Sequence, residues 1–130
     1  QQLQLLFTQD SDGNTALHYA AQVRTETVKT LLDNLQPEQQ LQLLFTQNKE
    51  SDTAFHTSAR KGHTETVTTM LDNLLPEQQL KLLSVKNKEG MTASQEAVGY
   101  DGTSYTMRTL EHYQKEARYR VNFRKFAKLS

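Results

Sequence analysis

His18 and His56 are the residues best suited to chemistry, because an imidazole titrates near neutral pH, ligates metals and serves as a general base. They lie 38 residues apart in near-copies, Thr15-Ala16-Leu17-His18 and Thr53-Ala54-Phe55-His56. A zinc site needs further His, Cys or carboxylate ligands at suitable spacing. No carboxylate accompanies these histidines at that spacing, and the chain has no cysteine. A Gly-rich phosphate loop, a G-x-S-x-G elbow and an H-E-x-x-H pair are also missing. Ser and Thr are plentiful, but their positions follow a repeat. Triads can assemble from distant residues, yet no such constellation is visible. The expectation is a non-enzyme with no cofactor. His63 belongs to a turn between helices. His112 stands alone near a helix end, where a solvent or dipole role is the default.

A second group with chemical potential lies at 113–130, YQKEARYRVNFRKFAKLS. It holds six basic residues and one acidic one, a net charge of +5, whereas the preceding 112 residues hold 9 basic and 14 acidic, a net charge of −5. The overall neutrality therefore conceals a polarised chain. Tyr119, Phe123 and Phe126 fall on one helical stripe, and Leu110, Tyr113, Ala117 and Val121 form a second. With no Gly or Pro between Thr103 and Ser130, the helix is expected to run on without a sharp break. Amphipathic spacing favours a final helix that packs its aromatics on the preceding repeat and exposes its cations. A helix that binds a partner, an acidic surface or RNA is the competing reading.

Composition frames both groups. Only 35% of the 130 residues are hydrophobic, which suits a thin, elongated fold better than one thick core. The balanced total charge argues against a nucleic-acid or membrane role for the chain as a whole. Without cysteine, disulfides and thiolate metal sites are excluded. No apolar run approaches the length of a membrane span, and QQLQLL at the start lacks the basic head and apolar run of a signal peptide.

The elements that position these residues are set by internal repetition. QQLQLLFTQ occurs at 1–9 and again at 39–47, and QQLKLLSVK follows at 78–86. Between the copies, the stretch from Thr15 to Glu38 returns from Thr53 to Glu77, and a decayed version begins at Thr92. Thr15 to Thr53 is 38 residues; Thr53 to Thr92, Val28 to Val67 and Leu71 to Leu110 are each 39. Each unit opens with a turn: Asp12-Gly13-Asn14, Glu50-Ser51-Asp52, or Glu89-Gly90-Met91. Gly and Asn/Asp suit the tight backbone there. Thr15, Thr53 and Thr92 follow, placed to cap a short helix. Small residues on that helix (Ala16, Ala20, Ala21, Ala54, Ala59) allow close approach of neighbours. A second helix carries Val28, Leu31, Leu32 and Leu35, or Val67, Met70, Leu71 and Leu74, at helical spacing. Pro37-Glu38 and Pro76-Glu77 then start a third short helix, since proline fits the first helical position and an acid favours the N-terminus. The glutamines around these leucines read as a solvated helix face.

At these residues the sequence resembles the ankyrin repeat family, whose unit of about 33 residues carries a T-P-L-H-x-A run. Thr15, Ala16, Leu17, His18 and Ala20 match, as do Thr53, Ala54, Phe55 and His56. Gly62, His63, Glu65 and Val67 correspond to the family's GH-x-E-x-V element. The resemblance covers roughly 10–112. Ala replaces the proline after Thr, the unit is five or six residues longer with the surplus at Pro-Glu-Gln-Gln, and the first copy lacks a Gly62-His63 counterpart. Ser58 replaces one of the paired alanines. Ser94-Gln95 replaces the Leu-His pair in the third copy, which suits a terminal repeat with less to pack against. The resemblance implies that His18 and His56 hydrogen-bond the backbone and Thr around the turn.

The expected architecture is an all-α, ankyrin-like repeat solenoid of helix-turn-helix units with an extra short helix per repeat, followed by a C-terminal helix. Its divisions are 1–9, the end of a preceding repeat; 10–47 and 48–86, two full repeats; 87–112, a degenerate terminal repeat; and 113–130, a basic amphipathic tail. Because 1–9 repeats the end of a unit, at least one more repeat is expected upstream. The resemblance implies a protein-interaction module, a scaffold or adaptor presenting a concave face to an unidentified protein. Its variable positions would be Asp10, Asp12, Asn14, Tyr19 and Gln22; then Lys49, Glu50, Asp52, Thr57, Arg60 and Lys61; then Lys88, Glu89, Met91, Glu96 and Tyr100. The alternatives are a structural spacer or targeting segment of a larger signalling or effector-like protein, and binding of nucleic acid or acidic membrane through 113–130. A monomer, an intracellular and cytoplasmic location and no small-molecule substrate are expected.

Overall fold

A computed structural model describes residues 2–98 and 104–129. Among the described residues the secondary structure is entirely helical: α1 Gln2–Phe7, α2 Ala16–Val23, α3 Thr25–Asp33, α4 Pro37–Phe45, α5 Ala54–Arg60, α6 Thr64–Asp72, α7 Pro76–Ser84, α8 Ala93–Glu96 and α9 Tyr105–Leu129. The first helices of successive units form one row, α2 on α5 on α8. The second helices form another, α3 on α6 on the start of α9. The third helices begin at Pro37 and Pro76. This is the ankyrin-like solenoid with an added helix per unit and a long last helix.

The repeat pattern explains the core. Leu17 and Phe55 hold equivalent places in the first row and are fully buried, as are Val28 and Val67, and Leu32 and Leu71, in the second row. Ala21, Ala54 and Ala59 are likewise sealed, so their small side chains fill the space between closely packed helices. Ser58 keeps that small volume and satisfies its hydroxyl on the carbonyl of Phe55 at 3.0 Å. The second row is also pinned by hydroxyl pairs, Thr25 to Thr66 at 2.7 Å and Thr64 to Thr106 at 2.6 Å.

The solvated-face reading of the glutamines holds for exposed Gln36 and Gln42 but is corrected at Gln39, Gln40, Gln78 and Gln79. Gln39 and Gln78 fold back so that Oε1 accepts from the backbone N–H of Gln36 and Leu75, each at 2.9 Å. Gln40 and Gln79 donate to the carbonyls of Leu32 and Leu71 at 2.6 and 2.8 Å. One glutamine thus caps its own helix and the next caps the end of the preceding one, where carbonyls lack intrahelical partners. Gln79 is buried in doing so.

The third unit is abbreviated. Helix α8 has four residues, and Ser104 starts α9, bonded to the carbonyl of Ala97 and accepting from the N–H of Met107. Helix α9 then runs unbroken for 25 residues, as the lack of Gly and Pro predicts. Its packing side is the Leu110, Tyr113 and Ala117 line, with Leu110 and Ala117 fully buried and α9 lying along α6 and α7. Tyr119, Phe123 and Phe126 are exposed, which corrects the expectation that the aromatic stripe packs on the last repeat. The second line wins because its residues face α6 and α7 once the start of α9 is seated.

Candidate functional site

The turns that open the units are built alike. Asp10, Asn48 and Asn87 each use Oδ1 to accept two backbone N–H groups. These come from Asp12 and Asn14 at 3.0 and 2.9 Å, from Glu50 and Asp52 at 2.9 and 3.0 Å, and from Glu89 and Met91 at 3.0 and 3.1 Å. Such Asx side chains mimic a backbone turn. The fourth residue of each turn has positive φ: Gly13 at 80°, Ser51 at 62° and Gly90 at 75°. Sequence reasoning missed Asn48 and Asn87 as the turn organisers. Their signal was an Asx residue five positions before each capping Thr, in all three units.

Successive turns are zipped together. The N–H of Lys49 donates to Asp12 O and that of Lys88 to Glu50 O, both at 3.0 Å. Gln9 donates to Gly13 O and Gln47 O, and Gln47 in its turn to Ser51 O and Lys86 O. Asn48 Nδ2 reaches Asn14 Oδ1 at 2.8 Å, and Asn87 Nδ2 reaches Asp52 Oδ1 at 3.0 Å.

The histidines complete the link. Thr15 N–H donates to His18 Nδ1 at 3.0 Å, so Nδ1 is an acceptor and the ring proton sits on Nε2, which donates to Asp52 O at 2.9 Å. His56 repeats this with Thr53 N–H at 3.3 Å and Met91 O at 3.0 Å. Both ring nitrogens of each histidine are therefore engaged with the backbone. Burial, the largest influence, holds the His18 imidazole below its ordinary range. In the third unit, Gln95 Oε1 accepts from Thr92 N–H at 2.8 Å. That keeps the cap of the turn and leaves no ring nitrogen to reach further.

Around the second and third turns lies a polar cluster. The Arg60 guanidinium bonds Asp52 Oδ2 at 2.9 Å and both Glu96 oxygens at 3.2 Å, and Asn87 Nδ2 donates to Glu96 Oε1 at 2.8 Å. The Arg60 hydrogen bonds hold the Glu96 carboxyl below its usual range and raise the guanidinium's own pKa. At the first turn the Tyr19 hydroxyl bonds Asp10; that bond lowers the Asp10 carboxyl and raises the Tyr19 phenol.

The sequence-derived surface residues separate into two sets. Asp12, Tyr19, Gln22, Lys49, Glu50, Lys61, Lys88 and Glu89 are exposed along the turns and first-row helices. Asp52 and Thr57 are buried, a correction: Asp52 serves Asn87 and Arg60, and Thr57 bonds Thr53 O. Asn14, Met91 and Glu96 are half-buried. Asp10 and Arg60 are exposed but held by the contacts above. Tyr100 lies outside the described residues.

One groove, of about 440 Å³, is lined by Asp72, His112, Tyr113 and Glu116 among others. There the Tyr113 hydroxyl donates to Asp72 at 2.8 Å, and burial followed by that bond pushes the phenol up to about 12. Among the described residues no group of three His, Cys, Asp or Glu is placed to hold a metal ion, and no helix is long and apolar enough to cross a membrane.

Comparison with known families matches residues 12–38 to the ankyrin repeat. No curated protein matches the chain.

Proposed function

We propose that this chain, an ankyrin-type repeat array and so kin to a family of protein-interaction modules, acts as a scaffold or adaptor that grips a protein partner with its turn tips and first-row helices. The observation that carries the reading is the zipped row of turns. Backbone, Asx and histidine bonds fix each tip to the next, so the exposed residues are presented with little entropy left to lose on binding. The contact residues are Asp12, Tyr19, Gln22, Lys49, Glu50, Lys61, Lys88 and Glu89. Lys49-Glu50 and Lys88-Glu89 put a cation and an anion at equivalent places on successive tips. A partner with the complementary alternation would be selected by charge register. The units are 10–47, 48–86 and 87–112, followed by the tail.

Site-specific photocrosslinking tests this reading. A crosslinking residue at Tyr19, Lys49 or Lys88 is expected to trap one common protein, and Lys49→Glu with Lys88→Glu to abolish capture. Exposed Lys29, on α3, serves as the comparison site. Capture from Lys29 alone, or equal capture from all sites, would remove the turn face from consideration.

A further inference from the structure

We propose that the outward face of the distal half of α9 is a docking surface for an anionic lipid bilayer. Tyr119, Phe123 and Phe126 are 66%, 60% and 71% exposed. At 3.6 residues per turn they fall within an arc of roughly 60°. That arc lies roughly opposite Leu110, Tyr113 and Ala117, the side that seats the helix on α6 and α7. Arg118 and Arg120 stand about 100° to either side of Tyr119. Lys115, Lys125 and Lys128 add further exposed cations. Among the described residues the only ion pair made by α9 is Arg124 with Glu77 at 2.9 Å, which clamps the packed side. No acidic residue follows Glu116.

Three occupants could cover an aromatic strip flanked by cations, and the observations separate them. A second α9 would bring like charges together. Nucleic acid would use the ring faces as stacking platforms, but the facing sides of Tyr119 and Phe123 are already taken by each other, centroids 6.4 Å apart at 22°. An anionic bilayer satisfies both features at once. The rings enter the boundary between headgroups and acyl chains while the long cationic side chains on both flanks reach phosphates. The opposite net charges of tail and array also orient the molecule, drawing the tail to the surface and holding the array away from it.

Flotation of the whole chain with vesicles tests the proposal. The probes are phosphatidylcholine alone and phosphatidylcholine with roughly one-third phosphatidylserine. Binding is expected only to the second, and to weaken as salt rises. Phe123→Ser and Phe126→Ser should each reduce it about tenfold, and Arg118→Gln with Arg120→Gln, on the two flanks, should reduce it too. All four sites are exposed, so thermal unfolding should not change; Tyr19→Ala on the turn face should leave vesicle binding intact. Equal binding to both vesicles, no binding, or indifference to the ring substitutions would overturn the proposal. So would tighter, ring-dependent binding of a uridine oligonucleotide or of polyglutamate, which would assign the face to nucleic acid or to an acidic protein.

Discussion

His18 Nε2 lies 2.9 Å from the main-chain oxygen of Asp52, joining the helix start of one unit to the turn of the next across 34 positions of sequence. His56 and Met91 O repeat the relationship at 3.0 Å. The imidazole is a structural strut here. Its Nδ1 fixes the turn in its own unit, and its Nε2–H fixes the neighbouring one.

His56→Ala is therefore expected to destabilise the array by roughly 1–3 kcal/mol, because buried donors and acceptors lose their partners. Gln95→Ala should cost less, since Gln95 caps its own turn and is exposed. Chemical denaturation of the two variants provides the comparison. Equal losses would remove the inter-unit bond as the source of the difference.

His18 also predicts a pH dependence. Burial depresses its folded pKa below the ordinary 6.5, so between the two values the unfolded chain binds more protons. Stability then rises with pH across that window. The contribution is complete above about 6.5 and is lost as pH falls toward the depressed folded value. His18→Gln should flatten this slope while keeping the cap, as Gln95 does. An unchanged slope between about pH 5 and 7 in the variant would refute the assignment.

Gly13 and Gly90 share a left-handed backbone but not a neighbourhood. A Cβ on Gly13 would stand 2.9 Å from Lys49 N and 3.0 Å from Asn48 Cα, whereas one on Gly90 would meet nothing within 4 Å. Gly90→Ala should cost about 1–2 kcal/mol for the backbone conformation alone. Gly13→Ala should cost more, because it also forces apart two zipped turns. The ordering of the two unfolding midpoints decides the matter, and the reverse ordering would contradict the packing.

The Arg60 cluster predicts coupling between units. Arg60→Ala leaves the buried Asp52 carboxylate without its cation; with Arg60 itself about two-fifths exposed, the loss should be about 1–2 kcal/mol. Glu96, whose folded pKa is depressed by Arg60, contributes stability that is complete above its ordinary 4.5 and lost as pH falls through the depressed value. A double-mutant cycle of Arg60→Ala with Glu96→Gln should show non-additivity; simple additivity would mean that the ion pair contributes nothing.

Along α9, truncation should separate seat from projection. Removing residues 114–130 takes away Ala117 and the Arg124–Glu77 pair and should lower the unfolding midpoint of the last unit. Removing 125–130 takes away the exposed side chains of 125–129 and should leave the midpoint nearly unchanged. Equal effects would mean that the distal half packs as well.

The sequence by itself determined the repeat, the three helices of each of the two full units and the family resemblance. Duplication writes the same turn, cap and apolar spacing each time, and all of these are local. Thr15, Pro37 and Leu32 announce their roles within a few residues of themselves. The tertiary structure alone decided which exposed-looking polar residues are available. Asp52 resembles any turn residue in sequence, yet it is buried because Asn87 and Arg60 arrive from 35 positions and one helix away. Gln79 reads as a solvated helix position until the end of α6 is seen beneath it. Helix α9 carries two apolar lines, and helical periodicity weighs them equally. Only the seating of Leu110 and Ala117 on α6 and α7 settles that the Tyr119, Phe123 and Phe126 line faces outward, because a rigid helix anchored along one side must expose the other.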